Sequence, residues 1–125
     1  LMALRGAQIL IYPTAIGLAR TEPRELHKVQ CSAWQTMQRS HAIANGVFVL
    51  SINRTGREDN LDFWGTSLVS DPFGEVLAQA SPNRPETIRA NLDLDEIGVT
   101  RQHWPFLRDR RVDAYQGLDQ RFLTP

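Results

Sequence analysis

The sequence is short of cysteine, of net charge and of long apolar runs, and each shortage excludes a class of protein. A single thiol, Cys31, in 125 residues leaves no partner for an internal disulfide, so the expected setting is a reducing compartment, the cytoplasm. Fourteen Lys and Arg balance fourteen Asp and Glu, so no long-range field draws the chain to nucleic acid or to an anionic membrane. The longest apolar run, around "AQILIY", is far short of the roughly 20 residues that cross a bilayer. No secretion-signal pattern is read either. Histidine is scarce too: His27, His41 and His103 have no paired ligand spacing, and no metal is expected. Gly65 and Gly74 occupy no strand-to-helix phosphate turn, so no cofactor is expected.

What remains is a chain with 42% apolar and 22% charged residues, the balance of one globular domain. "LMALRG" has helix formers before Gly6 and reads as the last turn of a helix. "AQILIY" predicts a buried strand ended by Pro13, and residues 14–24 a loop entering a helix near Pro23. The helix that follows starts either at a capping box, "SAWQ" at 32–35, or earlier, and the earlier start is favoured. Trp34, Met37, His41 and Ala44 mark its buried face and Gly46 its end. "VFVLSIN" predicts a strand covered on both sides, and "RTGREDNLD" a solvated charged connection. "FWGTSLVS" and "EVLAQA" form a hairpin around "DPFG", since Asp, Pro and Gly each favour a tight turn. "ETIRANLDL" reads as a strand, and "DLDEIGVTRQ" as a short helix capped by Asp93 or Asp95.

Chemistry is harder to place. Cys31 needs a base to be a nucleophile, but His41 is ten residues along the same helix, roughly 15 Å away. His27 stands four residues before Cys31, a spacing that surface helices show without any function. His41 and Asn45 read as core polar groups bonded to neighbouring strands. From Arg101 onwards the tail mixes Arg108, Arg110 and Arg111 with Trp104, Phe106 and Tyr115, broken by Asp109 and Asp113. Interspersed acids favour a protein interface over a nucleic-acid surface.

Four blocks, "LMALRGAQILIYPTAIG", "WQTMQRSHAIANGVFVLSINRTG", "FWGTSLVSDPFGEVLAQA" and "HWPFLRDRRVDAY", in this order and spacing, resemble the carbon–nitrogen hydrolase (nitrilase) superfamily, its carbamoylputrescine amidase branch above all. The resemblance implies an α/β fold, with residues 1–125 as the second half of a four-layer α-β-β-α sandwich and 103–125 as an interface tail. It implies a Cys-Glu-Lys triad acting through a thioester, all three positions lying upstream of Leu1, with Cys31 matching none of them and no catalytic residue in this chain. Thr14, Ala15 and Ile16 would form a pocket wall, and Glu22, before Pro23, would meet a substrate amine. The implied partners are a small-molecule amide or carbamoyl amine in the complete parent, and either a second copy or the missing N-terminal half. A non-catalytic binding or oligomerisation module of the same fold is the other reading.

Overall fold

The computed structural model describes residues 1–122. A single 3-10 turn over Ala3–Arg5 closes at Gly6, the helical ending expected there. Strand β1 (Ile9–Thr14) then runs parallel to β3 (Phe48–Asn53), in a register from Ile9 opposite Phe48 to Thr14 opposite Asn53. β3 pairs antiparallel with β6 (Leu68–Ser70), and β6 with β7 (Val76–Gln79). The resulting sheet has the order β1-β3-β6-β7. A second, antiparallel sheet has the order β2-β5-β4, from β2 (Gly17–Ala19), β4 (Thr55–Glu58) and β5 (Leu61–Trp64).

Helix α1 (Glu25–Asn45) connects the first sheet's two parallel strands, as a parallel pair requires a long crossover. It begins well before the Ser32 capping box, which lies inside the helix and caps nothing. Gly46 ends it in the left-handed conformation, its amide returning to the Ala42 and Ile43 carbonyls. The buried stripe is Trp34, Gln38 and Ala42, the four-residue row, which corrects the expected face. Met37 is 54% exposed and Ala44 is exposed as well. Gln38 is tolerated inside because the Ser51 hydroxyl of β3 donates to its Oε1 at 3.1 Å. Under the helix, Ala3, Leu10, Ala42, Val47 and Val49 form the core, flanked by Ala7, Tyr12 and Leu107.

Five other expectations are corrected. Pro13 does not end β1; the strand continues to Thr14, because β1 is an edge strand and a missing N–H on the open side breaks no ladder bond. The 14–24 loop contains β2, and the charged "RTGREDNLD" stretch is a hairpin of β4 and β5 joined by Asp59 and Asn60, with Asp59 at φ 47. Phe63 and Trp64 belong to that hairpin, so only Leu68–Ser70 of "FWGTSLVS" faces β7; the turn at "DPFG" is as read. Residues 86–94 form no strand.

β3 is covered on both sides only in its first half: Phe48 and Val49 are fully buried, but Ile52 is 51% exposed. On β1, Ile9, Ile11 and Pro13 are exposed while Leu10 between them is buried. One sheet face is therefore largely open. The short helix α2 is Glu96–His103, with Asp95 at the N-cap position but making no side-chain cap. Asp93 instead accepts from the Asp95 amide at 3.1 Å.

Candidate functional site

Asn53, the last residue of β3, ties the two sheets together. Its side-chain oxygen accepts from the Ile16 amide at 2.9 Å and from the Thr14 hydroxyl at 3.1 Å. Its amide nitrogen donates to the Ile16 carbonyl at 3.0 Å and the Gly65 carbonyl at 3.1 Å. An Asn side chain has two acceptor sites and two donors, so the group is saturated. Thr14 and Ile16 are thus fixed at the end of β1, the single Thr14 hydroxyl proton being shared between Asn53 Oδ1 and the Ile52 carbonyl, each at 3.1 Å. Ala15 between them is exposed. The other strand reaching Asn53 arrives through a kink, in which Gly65 (φ 55) and Thr66 (φ 54) are both left-handed. A β-branched residue rarely adopts that conformation, and Thr66 is held in it, buried, with its hydroxyl donating to the Gly65 carbonyl at 2.8 Å. Strain retained in this way is found preferentially where a loop must present a fixed surface.

The sequence reading missed Asn53. The signal was there: a polar residue closing an otherwise apolar strand needs buried partners.

Glu22 lies elsewhere, beyond β2. Its carboxylate accepts from the Ala19 amide at 3.0 Å while its own amide donates to the Ala19 carbonyl, so it closes a turn upon itself. It lines a cavity of 510 Å³ with Leu18, Arg20, Arg24, Lys28 and the Arg57–Asp62 pair; Thr14, Ala15 and Ile16 are not in its wall. Arg57 and Asp62 come from neighbouring strands, β4 and β5, and meet at 2.6 Å. The hydrogen bond from Arg57 is the main cause holding the Asp62 carboxyl below the usual carboxylate range, opposed by some burial and assisted by the charges of Arg57, Arg20 and Arg24.

Cys31 is half-buried on α1, its sulfur 3.7 Å from the Thr66 hydroxyl. His27 packs edge-on against Trp64, with ring centroids 5.7 Å apart. His41 stacks on Tyr12 at 5.6 Å, while Asn45 donates to the His41 carbonyl in its own helix. Neither His41 nor Asn45 makes the strand hydrogen bond expected of it. Among the described residues no group of three or more His, Cys, Asp or Glu is placed to hold a metal, and no helix is long and apolar enough to cross a membrane. In the tail, Trp104 packs on Phe73 and Phe106, each at 5.5 Å. Arg108 pairs with Asp109 and Arg111 with Asp113 on the surface. Residues 123–125 of the expected interface tail lie outside the described residues.

The sequence model of the carbon–nitrogen hydrolase family matches residues 1–102. The chain belongs to this family. A crystal structure of the carbon–nitrogen hydrolase from Helicobacter pylori G27 superposes with a TM-score of 0.92 at 44% identity, covering 97% of this chain and 44% of that one. Among curated relatives, the N-carbamoylputrescine amidase of Arabidopsis thaliana is 38% identical over 94% of this chain and 41% of its own length. The citrullinase of Francisella tularensis subsp. tularensis is 35% identical over 97% of this chain and 43% of its own. This carbon–nitrogen hydrolase chain therefore spans about two fifths of the length of the relatives it matches. Its mixed α/β architecture is that of the family's solved structures.

Proposed function

We propose that the chain is the substrate-side part of an amidase that cleaves an amide or N-carbamoyl C–N bond, with its Cys-Glu-Lys triad carried by polypeptide outside these residues. The observation that carries this reading is the setting of Cys31. The one thiol of the chain is in the body of α1 with the Thr66 hydroxyl as its polar neighbour, while His27 packs its ring on Trp64, whereas a catalytic cysteine needs a base within hydrogen-bond reach. In the complete reaction a cysteine thiolate attacks the carbonyl carbon, the amine leaves, and water activated by the glutamate hydrolyses the thioester. Lysine supports the oxyanion.

This chain contributes the Thr14–Ile16 wall and the fixed Gly65–Thr66 kink, both set by Asn53. Its open sheet face, with Ile11 at 58% and Ile52 at 51% exposed, is covered in that assembly by the remaining half or by a second copy, since an apolar face and strand edge left bare invite association. The setting is the cytoplasm. The test is ammonia release from N-carbamoylputrescine and simple amides, measured for the chain alone and with polypeptide supplying the remainder of the relatives' length. Turnover is expected only in the second case, unaffected by Cys31→Ala. Turnover by the chain alone that Cys31→Ala abolishes overturns the reading. A stable, inactive oligomer that gains nothing from the added polypeptide would favour the non-catalytic module instead.

A further inference from the structure

The cavity beside β2 has more cations than it can pair. Arg20, Arg24, Lys28 and Arg57 face it, against Glu22 and Asp62, a surplus of two positive charges in a chain whose charges cancel overall. Both carboxylates are already engaged, Asp62 by Arg57 at 2.6 Å and Glu22 by the Ala19 amide at 3.0 Å. Arg20, Arg24 and Lys28 make no ion pair among the described residues. Like charges gathered on one concave wall repel each other and focus a positive potential, which an entering anion relieves. Guanidinium groups offer a planar fork matched to a carboxylate. Beside them, Leu18, 6% exposed, and Ala19 give the wall a short apolar strip. The volume, 510 Å³, falls in the range of small-molecule pockets.

We propose that this cavity binds the carboxylate end of a small acyclic acid, Arg20, Arg24 and Lys28 supplying the charge. The same field disfavours an ammonium end in this cavity, since Glu22, the group that would receive it, has one oxygen held by the Ala19 amide; the amine of N-carbamoylputrescine would lie outside it. Assigning the carboxylate to an amidase substrate rests on the function proposed above; the binding itself does not.

The full chain is titrated at low ionic strength with glutarate, inorganic phosphate and putrescine, and the backbone amide NMR signals of residues 18–28 are followed. Saturable glutarate binding is expected, with phosphate at least about fivefold weaker and putrescine producing no saturable shift. Arg24→Gln with Lys28→Gln should weaken glutarate by about tenfold, while the charge-keeping pair Arg24→Lys with Lys28→Arg, which guards against a folding defect, stays within about threefold. Putrescine saturating these signals, phosphate binding as tightly as glutarate, or glutarate binding unchanged in the neutralised variant would each overturn the proposal. No turnover is read, so failure here leaves the amidase reading standing, and absence of amidase activity leaves a glutarate site standing.

Discussion

Replacing Asn53 with alanine removes four hydrogen bonds from one buried position, and its cost follows from what each partner retains. The Thr14 hydroxyl keeps the Ile52 carbonyl, and the Gly65 carbonyl keeps the Thr66 hydroxyl. The Ile16 amide and carbonyl lose the partner that each has in Asn53. Four bonds at a net value of about 1 kcal/mol each set an upper bound near 4 kcal/mol. Ile16 is 36% exposed, so water recovers part of this, and the expected loss is about 2–3 kcal/mol. With a urea dependence of about 2 kcal/mol per molar, the midpoint should fall by roughly 1–1.5 M at unchanged slope.

Asn53→Asp sharpens the test. It keeps both accepting interactions but turns a carboxylate oxygen towards the Ile16 and Gly65 carbonyls, so at neutral pH it should lose at least as much. Because burial and the facing carbonyls raise its folded pKa, the variant should recover as the pH falls and the carboxyl becomes a donor. The assay is equilibrium urea unfolding of the protein as isolated, followed by tryptophan fluorescence. A loss below about 0.5 kcal/mol for Asn53→Ala, the size of an ordinary surface change, or an Asn53→Asp variant as stable as the parent at pH 7, would refute the description of Asn53 as the tie between the sheets.

Gly65→Ala should destabilise by more than about 2 kcal/mol, because the added methyl would lie 2.7 Å from Thr55 Cγ2 and 2.8 Å from the Ser81 and Pro82 carbonyl oxygens at a positive φ; thermal unfolding measures it. Ser51→Ala should cost about 1–2 kcal/mol by leaving Gln38 Oε1 unpaired, whereas adding Gln38→Leu should restore most of that loss in the same urea titration. Asp62 has a lowered carboxyl pKa, so its contribution is present above the unfolded value, about 3.9, and disappears as the pH falls through the folded one. Asp62→Asn should therefore flatten the acid limb of the stability–pH curve and leave the neutral region little changed, since the pair with Arg57 is solvent-exposed. An acid limb identical to that of the parent would show that the pair contributes nothing.

The elements most legible in the sequence were those set by local chemistry. "DPFG" makes its turn because the Asp71 carboxylate accepts from the Phe73 and Glu75 amides, a bond within five residues. Gly46 stops α1 for an equally local reason. The four ordered blocks carried the family. The misreadings have a common cause in pairing between distant segments. "ETIRANLDL" has strand-like residues but no ladder partner, while the highly polar "TGRE" became β4 because "LDFW" lay two residues away to pair with it. Within α1, the choice between the rows containing Met37 and Gln38 depended on a serine thirteen residues away on β3.

The sequence by itself determined the family, the α/β class, the "DPFG" turn and the distance of Cys31 from His41, because these depend on residue identity and short spacings along one chain. Only the tertiary structure decided that Asn53 binds Thr14, Ile16 and Gly65, that Glu22 is spent on its own turn, and that four cations share one cavity. Such facts require segments up to about forty residues apart to meet in register, and register is fixed by the whole pattern of burial and pairing rather than by any stretch of it.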